Sequence, residues 1–174
     1  MKKTLESLLA QNKAAILERW RGLIFNTYPG DGANFFKAEK DRFANPVGST
    51  ILEGTEGIYS EFTGNKNLDL LTGYLDGIIR VRAVQDFSPS AALTFIPLLK
   101  RAIREELDAE INKHSLCREL MDLDSGIDDI MLLGIDIFMK CREQVYEIRC
   151  REAGAQRDAI IKFMARSAPG DTID

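Results

Sequence analysis

Apolar residues recur at three- and four-residue steps through most of the chain, and this spacing constrains the fold more than any other feature. Such steps place the apolar side chains on one face of a helix. Residues 4–27 show the pattern in Leu5, Leu8, Leu9, Ile16, Leu17, Trp20, Leu23 and Ile24. No segment alternates apolar and polar residues between hairpin turns, and we find no internal repeat. The sequence therefore predicts an all-α protein.

Two dipeptides mark helix starts, because Asn45-Pro46 and Ser88-Pro89 each join an N-cap residue to a proline. Proline suits the first helical position, where its φ fits and its missing N–H would have had no partner. Further helices are predicted at about residues 46–63, 68–85, 89–113 and 116–165. The last is either continuous or broken near Ser125-Gly126, and residues 33–44 form either a short helix or a packed loop.

These boundaries predict five to six helices, in a globin-like fold or an irregular helical bundle with a long C-terminal helix. We expect a single helical domain over residues 4–165, in which residues 116–165 form the long helix or helix pair, and a flexible tail over residues 166–174.

The composition narrows the class of protein. A net charge of −4 and a pI near 5.2 argue against a nucleic-acid binder, which normally has a basic face. No run of about 18 apolar residues would span a membrane, and the N-terminus lacks the continuous apolar stretch of a signal peptide. The three cysteines, Cys117, Cys141 and Cys150, are therefore expected to be reduced thiols in a cytoplasmic protein.

The predicted last helix carries an apolar stripe with a seven-residue rhythm, which suits packing against a partner helix. Its members are Met131, Gly134, Phe138, Cys141, Val145 and Ile148. Beyond Ile148 the same frame meets Glu152, Ala155 and Lys162, so the stripe fades. The stripe predicts the interface of a homodimer; the alternative is a long solvated helix with a small apolar contact.

The sequence contains no recognisable catalytic constellation. A lone histidine, His114, excludes sites that need two imidazoles; it is either a haem ligand or a residue that caps a helix C-terminus. The acidic residues from Asp122 to Asp129 do not match a calcium-binding loop, since Gly126 and Leu133 stand where that loop needs other residues. The cysteines lack metal-ligand spacing. We therefore expect no enzyme activity, no cofactor and no metal.

The most informative polar residues lie in the run IIRVRAVQDFSPS, which contains Arg80, Arg82, Gln85 and Asp86. Because apolar residues interleave them, at least one arginine is expected to be partly buried near a helix junction. Arg82 and Asp86 are four residues apart, so they form an ion pair if both are helical. Alternatively, Arg80 or Arg82 holds an anion or carboxylate ligand in a pocket between helices. A third hypothesis adds Tyr74 and makes the cluster an enzyme site.

Three motifs together resemble a known family: Tyr28-Pro29, the run from Asp41 to Gly48, and the run from Arg82 to Ser90. They are similar to the N-terminal sensory domain of RsbRD-type stressosome RsbT co-antagonists, over about residues 5–112. The resemblance implies a sensory input domain. Related stressosome sensors are dimeric, globin-like and without haem, and they feed a C-terminal STAS domain that binds a kinase.

The sequence ends after the long helix without a STAS domain, so we expect a stand-alone version of that sensory domain. The resemblance implies a cytoplasmic homodimeric sensor or adaptor, with a regulatory protein as partner. It supplies no ligand and no functional residues. The alternative function is a globin-like protein that binds haem or a small molecule such as an anion.

Overall fold

The computed structural model describes residues 3–28, 45–85 and 87–167. Within those residues the chain forms seven α-helices and one π-helical turn, and no strand. They are α1 (Leu5–Gln11), α2 (Lys13–Phe25), α3 (Pro46–Ser60), the π-turn (Glu61–Asn65), α4 (Leu68–Val84), α5 (Pro89–Leu93), α6 (Phe95–His114) and α7 (Cys117–Ser167). The all-α class and the long C-terminal helix are confirmed, and residues 33–44 lie outside the described residues.

The helix predicted over residues 4–27 is interrupted at Asn12. Both the backbone N–H and the side-chain amide of Asn12 donate to the Leu8 carbonyl, at 3.0 and 2.8 Å. An asparagine side chain that bonds a backbone carbonyl of the preceding turn competes with helix continuation, so α1 ends at Gln11 and α2 begins at Lys13. The predicted N-cap is confirmed, since the Thr4 hydroxyl accepts from the Ser7 N–H.

Tyr59 of α3 stabilises the chain close to this interruption. Its hydroxyl donates to the Leu9 carbonyl at 3.0 Å, and burial raises the pKa of its phenol. We expect Tyr59→Phe to lower the free energy of unfolding by about 1 kcal/mol, because it leaves a buried carbonyl short of a hydrogen bond. Urea denaturation followed by circular dichroism measures the change. An unchanged midpoint would mean that water replaces the hydroxyl.

The segment after Ser88 is also divided. The side chains of Asn45 and Ser88 cap their helices as predicted, accepting from Gly48 and Ala91 respectively. However, α5 ends at Leu93 and α6 starts at Phe95, where a single helix was predicted. Pro97 explains the break, because it has no N–H to donate to the Leu93 carbonyl and is tolerated only in the first turn of a helix.

The last helix runs unbroken through Ser125-Gly126. The Ser125 hydroxyl donates to the Met121 carbonyl at 3.1 Å, which keeps that side chain inside the helix. A β-carbon at Gly126 would lie 2.9 Å from the Phe62 ring, so the glycine lets α7 approach the π-turn closely. The nearby carboxylates of Asp124 and Asp128 pair with Arg104 and Lys100 on α6, respectively.

The chain falls into two compact units, Met1–Met139 and Lys140–Asp174. In the first, α2 packs on α6 and α3 packs on α4. Trp20 lies wholly buried there and donates its indole N–H to the Phe95 carbonyl at 2.7 Å. In the second unit, most described side chains of α7 are exposed. The single domain predicted over residues 4–165 stays a prediction.

Candidate functional site

Arg82 occupies a position on α4 that the helix pattern assigns to the core. The buried face of this helix contains Leu71, Leu75, Ile78, Ile79, Arg82 and Ala83. Arg82 is 0% exposed, although an arginine is almost never fully buried unless it is paired. A charged side chain thus lies where an aliphatic one would continue the stripe.

One nitrogen of the Arg82 guanidinium is well bonded. Its Nη2 donates to the Thr27 hydroxyl at 2.8 Å and to the Ala91 carbonyl at 3.1 Å. The Thr27 hydroxyl donates its own hydrogen to the Ile24 carbonyl at 2.6 Å, which leaves its lone pairs for Arg82. Arg82 therefore joins the end of α4 to α5 and to the residues that follow α2.

Two aromatic rings flank the same guanidinium. The Arg82 Cζ lies 5.1 Å from the centre of the Tyr28 ring and 4.7 Å from that of Phe87. The two rings meet edge to face, with their centres 5.4 Å apart. Cation–π attraction of this kind contributes about 0.5–2 kcal/mol per ring. Burial raises the pKa of the Tyr28 phenol, and the positive charge of Arg82 opposes that rise.

The remaining donors of Arg82 have no partner. Its Nε and Nη1, which carry three of the five N–H groups, make no hydrogen bond in the described part of the chain. No carboxylate of the described residues forms an ion pair with it. Burial lowers the pKa of Arg82, but a guanidinium stays protonated in proteins. Burying such a charge costs several kcal/mol unless an opposite charge compensates it.

Among the described residues, Arg80, Gln85 and Tyr74 do not share the buried surroundings of Arg82. Arg80 is exposed and pairs with Asp76 at 2.5 Å, and Gln85 is exposed at the C-cap of α4. Tyr74 lies about 12 Å from Arg82 along the helix, and its ring covers Gly57. Asp86, the predicted ion-pair partner, lies outside the described residues. Of the described members of the hypothetical enzyme site, Tyr74 and Arg80 therefore lie apart from the buried guanidinium of Arg82.

Sequence reasoning missed the residues that do surround Arg82, which are Thr27, Tyr28, Phe87 and Ala91. A signal for two of them was present, because Tyr28 and Phe87 stand in two of the motifs that carry the family resemblance. Thr27 is separated from Arg82 by 55 positions in the sequence, so its role depends on the tertiary fold.

Three of the six members of the predicted dimer stripe are buried. Phe138 and Cys141 are 2% and 4% exposed, and Gly134 is also buried, with the position of its missing β-carbon 2.7 Å from Ile96. Met131 and Val145 are half-buried, and only Ile148 is exposed. An apolar stripe with this spacing suits packing in the core of one chain as well as packing against a partner helix. The homodimer itself stays a prediction.

Other apolar residues of α7 are exposed, each one position after a member of the predicted dimer stripe. In the first unit Leu132, Ile135 and Met139 are 63, 41 and 52% exposed and follow one another at steps of three and four residues. This spacing forms a narrow stripe on one face of α7. We call these three residues the exposed α7 stripe.

Among the described residues, no group of three or more histidine, cysteine, aspartate or glutamate side chains is placed to hold a metal ion. His114 ends α6 and its Nε2 lies 3.4 Å from Glu110, before Ser115, whose positive φ of 56° closes the helix. Of the helices in residues 3–28, 45–85 and 87–167, none is long and apolar enough to cross a membrane.

The described residues thus form an all-α domain with a buried cation at Arg82. The chain matches the family model of the RsbT co-antagonist protein rsbRD N-terminal domain over residues 14–153, and it belongs to that family. The family comprises sensory domains of stressosome signalling and is not a known enzyme family. Comparison with curated proteins and with solved structures gave no match.

Proposed function

We propose that this chain is a non-enzymatic sensory module of stress-response signalling, which acts in the cytoplasm as a homodimer through ligand- or partner-dependent helix packing. The observation that carries the proposal is the family match over residues 14–153, which includes most of the helical core and the first part of α7. The buried guanidinium of Arg82, whose Nε and Nη1 have no hydrogen-bond partner, is a site where a ligand could bind and change the helix packing.

A short chain of contacts connects Arg82 to α7. Arg82 bonds the carbonyl of Ala91 in α5. Two residues later, Leu93 packs against α7, since a β-carbon at Gly134 would lie 3.4 Å from its Cδ2. The next residue of α7, Ile135, belongs to the exposed α7 stripe. A shift of the five-residue α5 would therefore reach the surface that we assign to the second protomer.

We assign the dimer interface to the exposed α7 stripe because its spacing is self-complementary for two copies of one helix. Leu132→Glu should convert the dimer to a monomer, since it would place two carboxylates in a desolvated interface. Multi-angle light scattering at micromolar concentration measures the mass. Leu68→Glu is the matched control, because Leu68 is equally exposed, at 63%, but lies on α4.

Two results would contradict this assignment. A strictly monomeric wild type would remove the homodimer from the proposal. A Leu132→Glu variant that remains dimeric would place the interface elsewhere.

The sensory function itself is tested in the organism that encodes the chain. Deleting the gene should change the transcriptional response to stress, and a plasmid copy of the wild type should restore it. The Leu132→Glu variant should fail to restore it while Leu68→Glu succeeds. A deletion strain whose stress response equals that of the parent would contradict the proposal.

The second candidate function is a globin-like protein that binds haem or a small anion. Arg82 favours the anion version, because it offers unbonded donors in a buried setting. The haem version depends on His114, and a Soret band after reconstitution with haem would support it.

A further inference from the structure

We infer that Arg82 binds a small monoanionic carboxylate through its Nε and Nη1, beside the Tyr28 and Phe87 rings. The inference depends on the proposed sensory function only where it identifies this ligand as the signal. Binding itself is a separate property, measurable on the purified chain.

The charge of Arg82, more than its unbonded N–H groups, calls for an anion. Ordered water would satisfy the N–H groups on Nε and Nη1, as it does for many buried polar groups. Water would not neutralise the charge of a side chain that is 0% exposed and has no ion pair within the described residues. An anion supplies both acceptors and charge, and charge-assisted hydrogen bonds are roughly twice as strong as neutral ones.

The surroundings select the charge and character of the anion. A single guanidinium balances one negative charge, so a dianion such as sulfate would leave a buried net charge uncompensated. The two side chains that flank the guanidinium, Tyr28 and Phe87, are aromatic. Such a setting suits a carboxylate with a short apolar tail, because the tail gains from leaving water.

Phe87 provides the route to the guanidinium. It is partly exposed and lies in the non-helical connection that leads from α4 to the Ser88 cap of α5. Its ring covers Arg82 from 4.7 Å without a hydrogen bond to hold it there. Rotation of this one side chain would therefore uncover the donors without unfolding a helix.

Thermal unfolding of the full chain at pH 7 tests the inference, with sodium acetate and sodium propionate compared against sodium chloride at equal ionic strength. We expect both carboxylates to raise the Tm by about 4 °C at tenfold excess over their Kd. Arg82→Met should lose this response. Arg80→Met should keep it, because Arg80 is an exposed neighbour on the same helix that pairs with Asp76. Sodium sulfate should raise the Tm of wild type and Arg82→Met alike, as an excluded salt does.

A rise in Tm of the same size in wild type and Arg82→Met would overturn the inference. The absence of any rise in the Tm of the wild type would also overturn it, if the carboxylate is raised from 100-fold the protein concentration to about 0.1 M. If Arg82→Met does not fold, line broadening of ¹³C-acetate by the wild type decides, with propionate expected to displace it and chloride not. If the wild type binds no carboxylate but is dimeric and the deletion strain has an altered stress response, the inference is wrong and the proposed function stands. If the wild type binds carboxylate but is monomeric, or deletion leaves the stress response unchanged, the proposed function is wrong and the binding site stands.

Discussion

Replacing Arg82 by methionine should make the ligand-free protein more stable, raising its free energy of unfolding by about 1–3 kcal/mol. Methionine has a similar length and fills the space between Tyr28 and Phe87 without a charge to desolvate. The cation–π attraction that is lost is offset in part by contacts of the thioether with the two rings, and the two hydrogen bonds that are lost leave neither acceptor group without a partner. The Thr27 hydroxyl still donates to Ile24, and the Ala91 carbonyl still accepts from the Thr94 N–H at 3.4 Å.

Urea denaturation in chloride buffer measures this change, and Arg82→Ala serves as the comparison. The alanine variant should lose about 2–4 kcal/mol, because it leaves a cavity where the long side chain was packed. If the methionine variant is as unstable as the alanine variant, the charge and hydrogen bonds of Arg82 stabilise the fold. A more stable methionine variant that no longer responds to carboxylate would mean that stability is given up for binding.

The helix boundaries show how far sequence reasoning reaches. Thr4, Asn45 and Ser88 were recognisable as N-caps because capping depends on residues within one turn. The breaks at Asn12 and Thr94 were missed, although local residues account for both. At Asn12 a side chain bonds the backbone, and at Thr94 the cause is Pro97, three positions downstream.

The surface of α7 shows a different limit. The seven-residue rhythm predicts a dimer interface, but periodicity does not tell whether a stripe packs inside its own chain or against a second one. Gly134 and Phe138 turned out to be buried, whereas Ile135 and Met139 are exposed one position away. Only the tertiary fold could reveal this shift.

The candidate site was predictable in part. Apolar residues interleave the arginines of this segment, and this pattern predicts that at least one of them is partly buried. Its ring partners come from distant segments, and no local rule pairs Tyr28 with residue 82. The unbonded N–H groups of Arg82 could not be predicted either, because they depend on which described residues the tertiary fold places next to the guanidinium.

Gly54→Leu should lower the free energy of unfolding by about 2 kcal/mol, a steric cost of about 3 kcal/mol less a gain of about 0.8 kcal/mol in helix propensity. Gly54 is buried where α3 meets α4, and a β-carbon there would lie 2.7 Å from both Cγ1 and Cδ1 of Ile78. Ile78 is 0% exposed and therefore has little room to move. The Tyr74 carbonyl, 3.4 Å from the same position, blocks the other side.

Gly73→Leu is the matched control, because Gly73 is an exposed α4 glycine with nothing within 4 Å of its missing β-carbon. It should stabilise the protein by about 0.8 kcal/mol through helix propensity alone. The difference between the two variants, measured as a shift of about 8 °C in Tm, isolates the cost of separating α3 from α4. Since α4 carries both Ile78 and Arg82, Gly54→Leu should also weaken the acetate response, whereas Gly73→Leu should not. Equal Tm values for the two variants would show that α4 is free to move away from α3, and that close packing does not hold Arg82 in place.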